Sequence, residues 1–143
     1  MKKYALTAHR KSGYLHIRVT GANRPEAVRG YLQEVQAACI RGKHLAVLLE
    51  ECLEGPEMRL LDVYSLASAG AELLPHPLLR IAFVDTNPEH QPAMLQFAEN
   101  VAVNRGANLR VFPNVRKAQA WLVSSQKTAG RKGRTAGKKR PAG

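Results

Sequence analysis

The sequence predicts a single α/β domain with a mixed, mostly parallel sheet of about five strands packed with helices. Short apolar runs typical of buried strands alternate along the chain with segments in which apolar residues recur at helical spacing. Two segments with apolar-polar alternation open the chain and add an antiparallel pair. With 143 residues, 45% of them hydrophobic, the chain is large enough to bury one core. The predicted element order is ββαβαβαβα.

The first three predicted elements are a β-hairpin and a helix. Apolar and polar residues alternate on both sides of the turn sequence RKSG, with Tyr4, Leu6 and Ala8 before it and Leu15, Ile17 and Val19 after it. Pro25 suits the first turn of a helix, and apolar residues at helical spacing continue over residues 24–41. Gly42 then offers a C-terminal stop.

The middle of the chain adds a strand and a second helix. HLAVLLE, residues 44–50, is an almost continuous apolar run, as expected of a central strand covered on both faces. Gly-Pro at 55–56 breaks the chain, and an apolar stripe at helical spacing then begins at Met58. This second helix is predicted to end between Gly70 and Leu74.

The last third of the folded part contains two more strands and two more helices. LLRIAFVD, residues 78–85, is another buried strand, and the loop TNPEHQP leads into a helix that closes at residues 104–106. LRVF, residues 109–112, is a short final strand. Asn114 can cap a last helix that carries Trp121 on its apolar side.

The positive charge of the chain is concentrated at its C-terminal end. The formal net charge is +11, and the segment from Ser124 onward holds seven bases and no acid: Lys127, Arg131, Lys132, Arg134, Lys138, Lys139 and Arg140. Residues 1–123 carry the remaining 15 bases against 11 acids. Because the final segment lacks apolar periodicity, residues 124–143 are predicted to form a disordered basic tail after a folded domain of residues 1–123.

The basic tail has two interpretations. Seven bases would neutralise phosphates and give a salt-sensitive, sequence-independent attraction to DNA or RNA. The second interpretation is a solubilising terminus with incidental affinity for polyanions. No aromatic residue is interleaved to stack on bases, so sequence recognition is not expected in either case.

The cysteines and the hydropathy pattern bear on the cellular compartment. Cys39 and Cys52 belong to no C-x-x-C or Cys/His metal spacing, so both are expected to be reduced, buried thiols. No run approaches the ~18 apolar residues of a membrane span, and the first residues contain no apolar signal region. A soluble, cytoplasmic protein without membrane insertion is expected.

Sequence motifs of catalysis are absent. The chain contains no G-x-x-x-x-G-K-[ST] phosphate loop, no G-x-G-x-x-G and no G-x-S-x-G. Since the sequence indicates no catalytic residue, no metal site and no cofactor, the prediction is a protein that is not an enzyme.

An acidic stretch follows the central strand. Glu50, Glu51, Glu54 and Glu57 could together hold a divalent cation, since hard ions take clustered carboxylates. However, Glu50 and Glu51 would point to opposite faces of a strand end, and Glu57 sits where a helix start favours negative charge. The favoured interpretation is a solvated acidic loop around Cys52, without a metal.

A second polar stretch provides the candidate ligand site. Asp85, Thr86 and Asn87 follow a buried strand, at the carboxyl edge where α/β sheets usually bind ligands, and His90 lies in the same loop. The same residue types also cap helices, so the alternative is a helix cap followed by a proline-containing turn. The helix cap with its turn is the favoured interpretation, and the ligand site is the other.

With this element order, the chain resembles the STAS-like superfamily, in particular the SpoIIAA-like group of small bacterial proteins. Three stretches carry the resemblance: HLAVLLEE before a helix, LLRIAFVD before a capped helix, and FAENVAVNRGANLRVFPNVRKAQAWL at the C-terminal edge. The resemblance covers roughly residues 3–123. These stretches are packing motifs, so they identify a fold better than an activity.

The resemblance implies a regulatory module that binds a partner protein or a small anionic ligand on one face. In anti-anti-sigma members, a Ser or Thr at the start of the helix after the central strand is phosphorylated. Here the corresponding segment, ECLEGPEMRLLD, has no hydroxyl residue. The expectation is therefore a non-enzymatic interaction module without the phosphorylation switch. The alternatives are a nucleic-acid-associated accessory protein that binds through the tail, and a protein that binds a small ligand or lipid between helix and sheet.

Overall fold

The computed structural model describes residues 3–74 and 79–124. Five strands form one sheet: β1 (Tyr4–Lys11), β2 (Tyr14–Ala22), β3 (Ala46–Glu54), β4 (Arg80–Asp85) and β5 (Asn108–Phe112). Within the described residues, four helices pack on it: α1 (Pro25–Gly42), α2 (Leu60–Leu73), α3 (Pro92–Asn104) and α4 (115–124). The predicted α/β class and the element order ββαβαβαβα are confirmed.

The strands lie side by side in chain order. β1 pairs antiparallel with β2, and β2 through β5 pair parallel. The tight turn between the first two strands is made by Ser12 and Gly13, and Gly13 has a φ of 89°, which glycine adopts without strain. Because each parallel crossover connects neighbouring strands with the same hand, α1, α2 and α3 all lie on one face of the sheet.

The two faces of the sheet are covered differently. Val47 and Leu49 of β3 face the three-helix layer, whereas Ala46 and Leu48 face α4, where they contact Leu122 and its neighbours. The sequence of β3 is a continuous apolar run because its alternating side chains pack against apolar residues on both faces of the sheet.

The strand β3 is longer than the sequence predicted. It continues from Glu50 to Glu54, because its backbone stays paired with β2 as far as Ala22 and with β4 as far as Asp85. The extension carries the acidic stretch into the sheet, where one of its members becomes buried. The final helix begins as predicted, since Asn114 Oδ1 accepts a hydrogen bond from the amide of Lys117 at 2.9 Å.

Candidate functional site

A cluster of polar side chains lies at the carboxyl edge of the sheet, on the side of the three helices. Glu51 of β3 and Asp85 of β4 are paired in the strand register. Tyr31 reaches them from α1, and His90 comes from the loop between β4 and α3. We call these four residues, Tyr31, Glu51, Asp85 and His90, the polar corner.

Glu51 is a buried carboxylic acid. Only 7% of the residue is exposed, and the Tyr31 hydroxyl donates a hydrogen bond to its Oε2. Burial raises the pKa of Glu51 to about 7. The hydrogen bond from Tyr31 and the charge of His90 oppose the rise, and the charge of Asp85 adds to it. Burial, together with the neighbouring Glu51, also raises the pKa of Tyr31 well above its ordinary value, so this hydroxyl remains a donor.

Asp85 and His90 form a buried ion pair. His90 Nδ1 lies 2.7 Å from Asp85 Oδ2, and the two side chains are 5% and 4% exposed. The other ring nitrogen, Nε2, lies 3.2 Å from the carbonyl oxygen of Gly55. Burial by itself lowers the pKa of His90, but the bond to Asp85, its charge, the Gly55 carbonyl and Glu51 together raise it above the ordinary value. Asn23 Nδ2, an amide donor, also lies 3.2 Å from Nε2, and the raised pKa favours the imidazolium form of the ring.

The structure places only two of the four residues that the sequence proposes as a ligand site in the polar corner. The four are Asp85, Thr86, Asn87 and His90. Asp85 and His90 belong to the polar corner. Asn87 lies behind it, where its side-chain amide donates to the carbonyls of Leu53 and Gly55 at 3.0 and 3.1 Å. Thr86 is exposed, and its hydroxyl donates to the backbone carbonyl of Glu51 at 3.3 Å.

The favoured interpretation of this loop, a helix cap with a turn, is right about the turn at Asn87 and wrong about the cap. Helix α3 begins at Pro92, its N-cap is Gln91, and no side chain of Asp85, Thr86 or Asn87 caps it. The amide of Gln91 instead donates to Glu57 Oε2 at 2.8 Å, which ties the loop before α2 to the loop before α3. The polar residues after β4 thus hold the carboxyl edge together.

The polar corner opens onto a cavity of about 150 Å³ between the three helices and the sheet. Most of its lining is apolar and comes from every element of that layer, for example Leu66 of α2, Met94 of α3 and Phe83 of β4. All four residues of the polar corner line the same cavity. The arrangement is an apolar chamber with its polar groups at one end, which is the usual composition of a small-molecule site.

The structure corrects the sequence interpretation of the acidic stretch at Glu51 and Cys52 and agrees with the expectation that Glu50 and Glu51 point to opposite faces. Glu51 is buried rather than solvated, and Cys52 is half-buried whereas Cys39 is buried. Glu50 points to the opposite face, where Oε1 lies 2.9 Å from His16 Nε2 and Oε2 lies 3.8 Å from Arg18 Nε. Within residues 3–74 and 79–124, no three His, Cys, Asp or Glu side chains are grouped to hold a metal ion.

Sequence reasoning missed Tyr31 and Glu51. A signal for Glu51 was present, because strand alternation from Val47 and Leu49 places it on the same buried face. Tyr31 is one of the residues at helical spacing that predict α1, but nothing in the neighbouring sequence indicates that its hydroxyl meets a carboxylate.

Three further expectations concern the tail, the membrane and the hydroxyl residues after the central strand. The seven tail bases, Lys127, Arg131, Lys132, Arg134, Lys138, Lys139 and Arg140, lie outside the described residues. None of the helices in the described ranges is long and apolar enough to cross a membrane. Tyr64 and Ser65, the first hydroxyl residues after Glu50, lie inside α2 rather than at its start.

Comparison with known proteins identifies the fold. No protein-family model matches the sequence, and no curated protein matches it either. Among solved structures, an anti-sigma factor antagonist from Mycobacterium paratuberculosis is similar, with a TM-score of 0.57 and 11% sequence identity. The alignment covers 83% of this chain and 93% of that chain. The predicted STAS-like, SpoIIAA-like fold is thereby confirmed, and at this identity the likeness establishes the fold alone.

Proposed function

We propose that the protein is a non-enzymatic regulatory module that binds a partner protein, and that the partner is an anti-sigma factor. The support for this class is the fold shared with an anti-sigma factor antagonist over most of both chains. The support for a binding surface on this chain is an exposed apolar patch at the start of α2.

The patch consists of Leu60, Leu61 and Tyr64, which are 53%, 78% and 42% exposed; we call it the α2 patch. These positions are neighbours on one helix surface. Arg105 covers one side of it, where its guanidinium donates to the Tyr64 hydroxyl at 2.6 Å and lies 5.5 Å from the ring centroid. An exposed apolar patch with a charged rim is typical of a protein interaction site.

The α2 patch lies where the resemblance places the phosphorylated hydroxyl. In this chain no Ser, Thr or Tyr stands between Glu50 and Val63. The next hydroxyl on the α1 side, Ser65, is already bonded to Arg29 Nη2 at 3.1 Å. The proposed binding is therefore constitutive at this surface and is not switched by phosphorylation of the loop before α2.

The experiment is a titration against the purified anti-sigma factors of the source organism, each in an isothermal calorimeter. We expect one of them to bind in a one-to-one complex. The double variant Leu60→Ser/Leu61→Ser should weaken that complex at least about tenfold, because exposed apolar anchors at an interface centre dominate binding.

The matched control is Ile40→Ser. Ile40 is 70% exposed on α1, but it lies near the C-terminal end of that helix, at the opposite edge of the sheet from the start of α2. This variant should bind like the wild type. The proposal is wrong if no anti-sigma factor binds, or if the double variant and the control weaken binding equally.

A further inference from the structure

The cavity between the helix layer and the sheet is of a size that holds a small organic molecule. An apolar cavity of about 150 Å³ engineered into another protein binds benzene. The chamber in this protein has the same volume, but it differs in having the polar corner at one end. A ligand for it must be mainly apolar and must carry one polar group.

One side-chain oxygen of the polar corner has no hydrogen-bond partner within the described part of the chain. Asp85 has both oxygens occupied, by His90 Nδ1 and by the amide of Asn87. Glu51 Oε2 accepts from Tyr31, whereas Glu51 Oε1 has no hydrogen-bond partner among the described residues. The residue is more than nine-tenths buried and lines the cavity. The lining of the chamber thus includes a carboxylate that has one oxygen available as an acceptor.

The charges around that acceptor select the polar group of the ligand. Among residues 3–74 and 79–124, the carboxylates that line the chamber are Glu51, Asp85 and Glu57, and the histidine that lines it is His90. A positively charged His90 offsets one carboxylate, that of Asp85, with which it is paired. The remaining charge is negative, so a cationic hydrogen-bond donor fits and a carboxylate or phosphate group does not.

We propose that this cavity binds a small, mainly hydrophobic amine of about seven to ten non-hydrogen atoms, whose ammonium group donates to Glu51 Oε1. Its hydrocarbon part packs against the apolar lining between α2, α3 and the sheet. The site is separate from the α2 patch, whose side chains point to solvent, so the inference goes beyond the proposed protein partner and does not depend on it.

The test compares benzylamine with three molecules of similar size: benzyl alcohol, toluene and benzoate. Binding is followed by two-dimensional NMR of the full chain at about pH 8, where a carboxyl group with a pKa near 7 is mostly ionised. We expect shift changes on both sides of the cavity, at Leu66 and Met94. Benzylamine should bind at least about tenfold more tightly than benzyl alcohol, and benzoate should bind weakest.

Three variants locate the interaction. Glu51→Gln should lose the preference for benzylamine and still bind benzyl alcohol, which shows that the cavity is intact. Glu50→Gln is the matched control, because its side chain points to the opposite face of the sheet, and it should keep the wild-type preference. Ala98→Leu adds three carbon atoms to the cavity lining and should abolish binding of both ligands while the circular-dichroism spectrum stays unchanged.

The proposal is overturned if the folded wild type shows no shift changes with benzylamine. It is also overturned if Glu51→Gln keeps the full preference for the amine, or if benzoate binds as tightly as benzylamine.

Discussion

Glu51 and Asp85 stand next to each other in the register of β3 and β4, and both residues line the same cavity. Their partners differ. Asp85 is paired with a histidine that can carry a full positive charge, whereas Glu51 receives only the neutral hydroxyl of Tyr31. Asp85 thus has a positively charged partner when it is ionised. Among the residues that the structure describes, Glu51 has no such partner of its own, so its ionised form is the less favourable of the two.

Replacing Glu51 by glutamine should stabilise the protein at alkaline pH and change little near pH 4. The folded-state pKa is about 7 against an ordinary value of 4.5, so between these values the folded chain keeps a proton that the unfolded chain releases. The wild type therefore loses stability as the pH rises through this window, by about 3 kcal/mol. Glutamine keeps the acceptor for Tyr31 without the charge.

Urea melts of the wild type and Glu51→Gln, at about pH 4 and about pH 8, measure this difference. Glu50→Gln serves as a control for removal of a carboxylate at the same end of β3, on the other face. If the stability difference between wild type and Glu51→Gln is the same at both values of pH, Glu51 is not buried as an acid.

Asp85→Asn should lower the pKa of His90. Burial alone lowers this pKa, and it is raised above 6.5 only because Asp85, Gly55 and Glu51 favour the charged ring. The ion pair contributes stability that is complete below the unfolded pKa of His90 and is lost as the pH rises through the higher folded value. NMR titration of the His90 imidazole in the wild type and in Asp85→Asn measures this pKa in both proteins. An unchanged or higher pKa in Asp85→Asn would show that Asp85 does not charge the ring.

Leu122→Ala should destabilise the protein more than Trp121→Ala. Leu122 is 1% exposed, and it packs with Leu48 and Ala82 on the α4 face, so its truncation should cost about 2–5 kcal/mol. Trp121 is half-buried and packs on Phe112, with ring centroids 5.5 Å apart. Its truncation should cost less than the ~3–5 kcal/mol of a fully buried tryptophan. Urea melts test the order, and the reverse order would contradict the inference that Leu122 makes the main apolar contact of α4 with the sheet.

Removing residues 125–143 should leave the unfolding free energy unchanged and abolish non-specific DNA binding. The removed segment holds seven bases and no acid, and such binding should weaken steeply from low to physiological salt in the full chain. A full-length variant with these bases changed to glutamine separates charge from length. If the shortened chain binds DNA like the full one, a basic face of the domain that includes Arg110 and Arg116 must carry the binding.

The fold could be predicted because its signals are local. The hairpin follows from alternation around Gly13, and the central position of β3 follows from an apolar run that only a strand covered on both faces needs. The end of that strand could not be predicted equally well, because acidic residues lower the expectation of a buried strand. Backbone pairing with β2 and β4 nevertheless continues through them.

The candidate site could be predicted only in part. Asp85 and His90 stand five positions apart in the loop after a recognisable strand, so the sequence predicts a candidate ligand site there. Glu51 and Tyr31 meet across 20 positions, and neither sequence neighbourhood specifies the other. The packing of α1 on the sheet brings the Tyr31 hydroxyl to the Glu51 carboxylate. The resulting hydrogen bond offsets part of the free-energy cost of burying Glu51.

The most direct test of this account is an NMR titration of the side-chain carboxyl carbon of Glu51 in the wild type. The predicted midpoint is about pH 7, and it should move lower when benzylamine is added, because a bound ammonium group favours the ionised acid. A midpoint near the ordinary value of 4.5, unchanged by the amine, would place Glu51 in solvent and contradict both the buried polar corner and the ligand proposed for it.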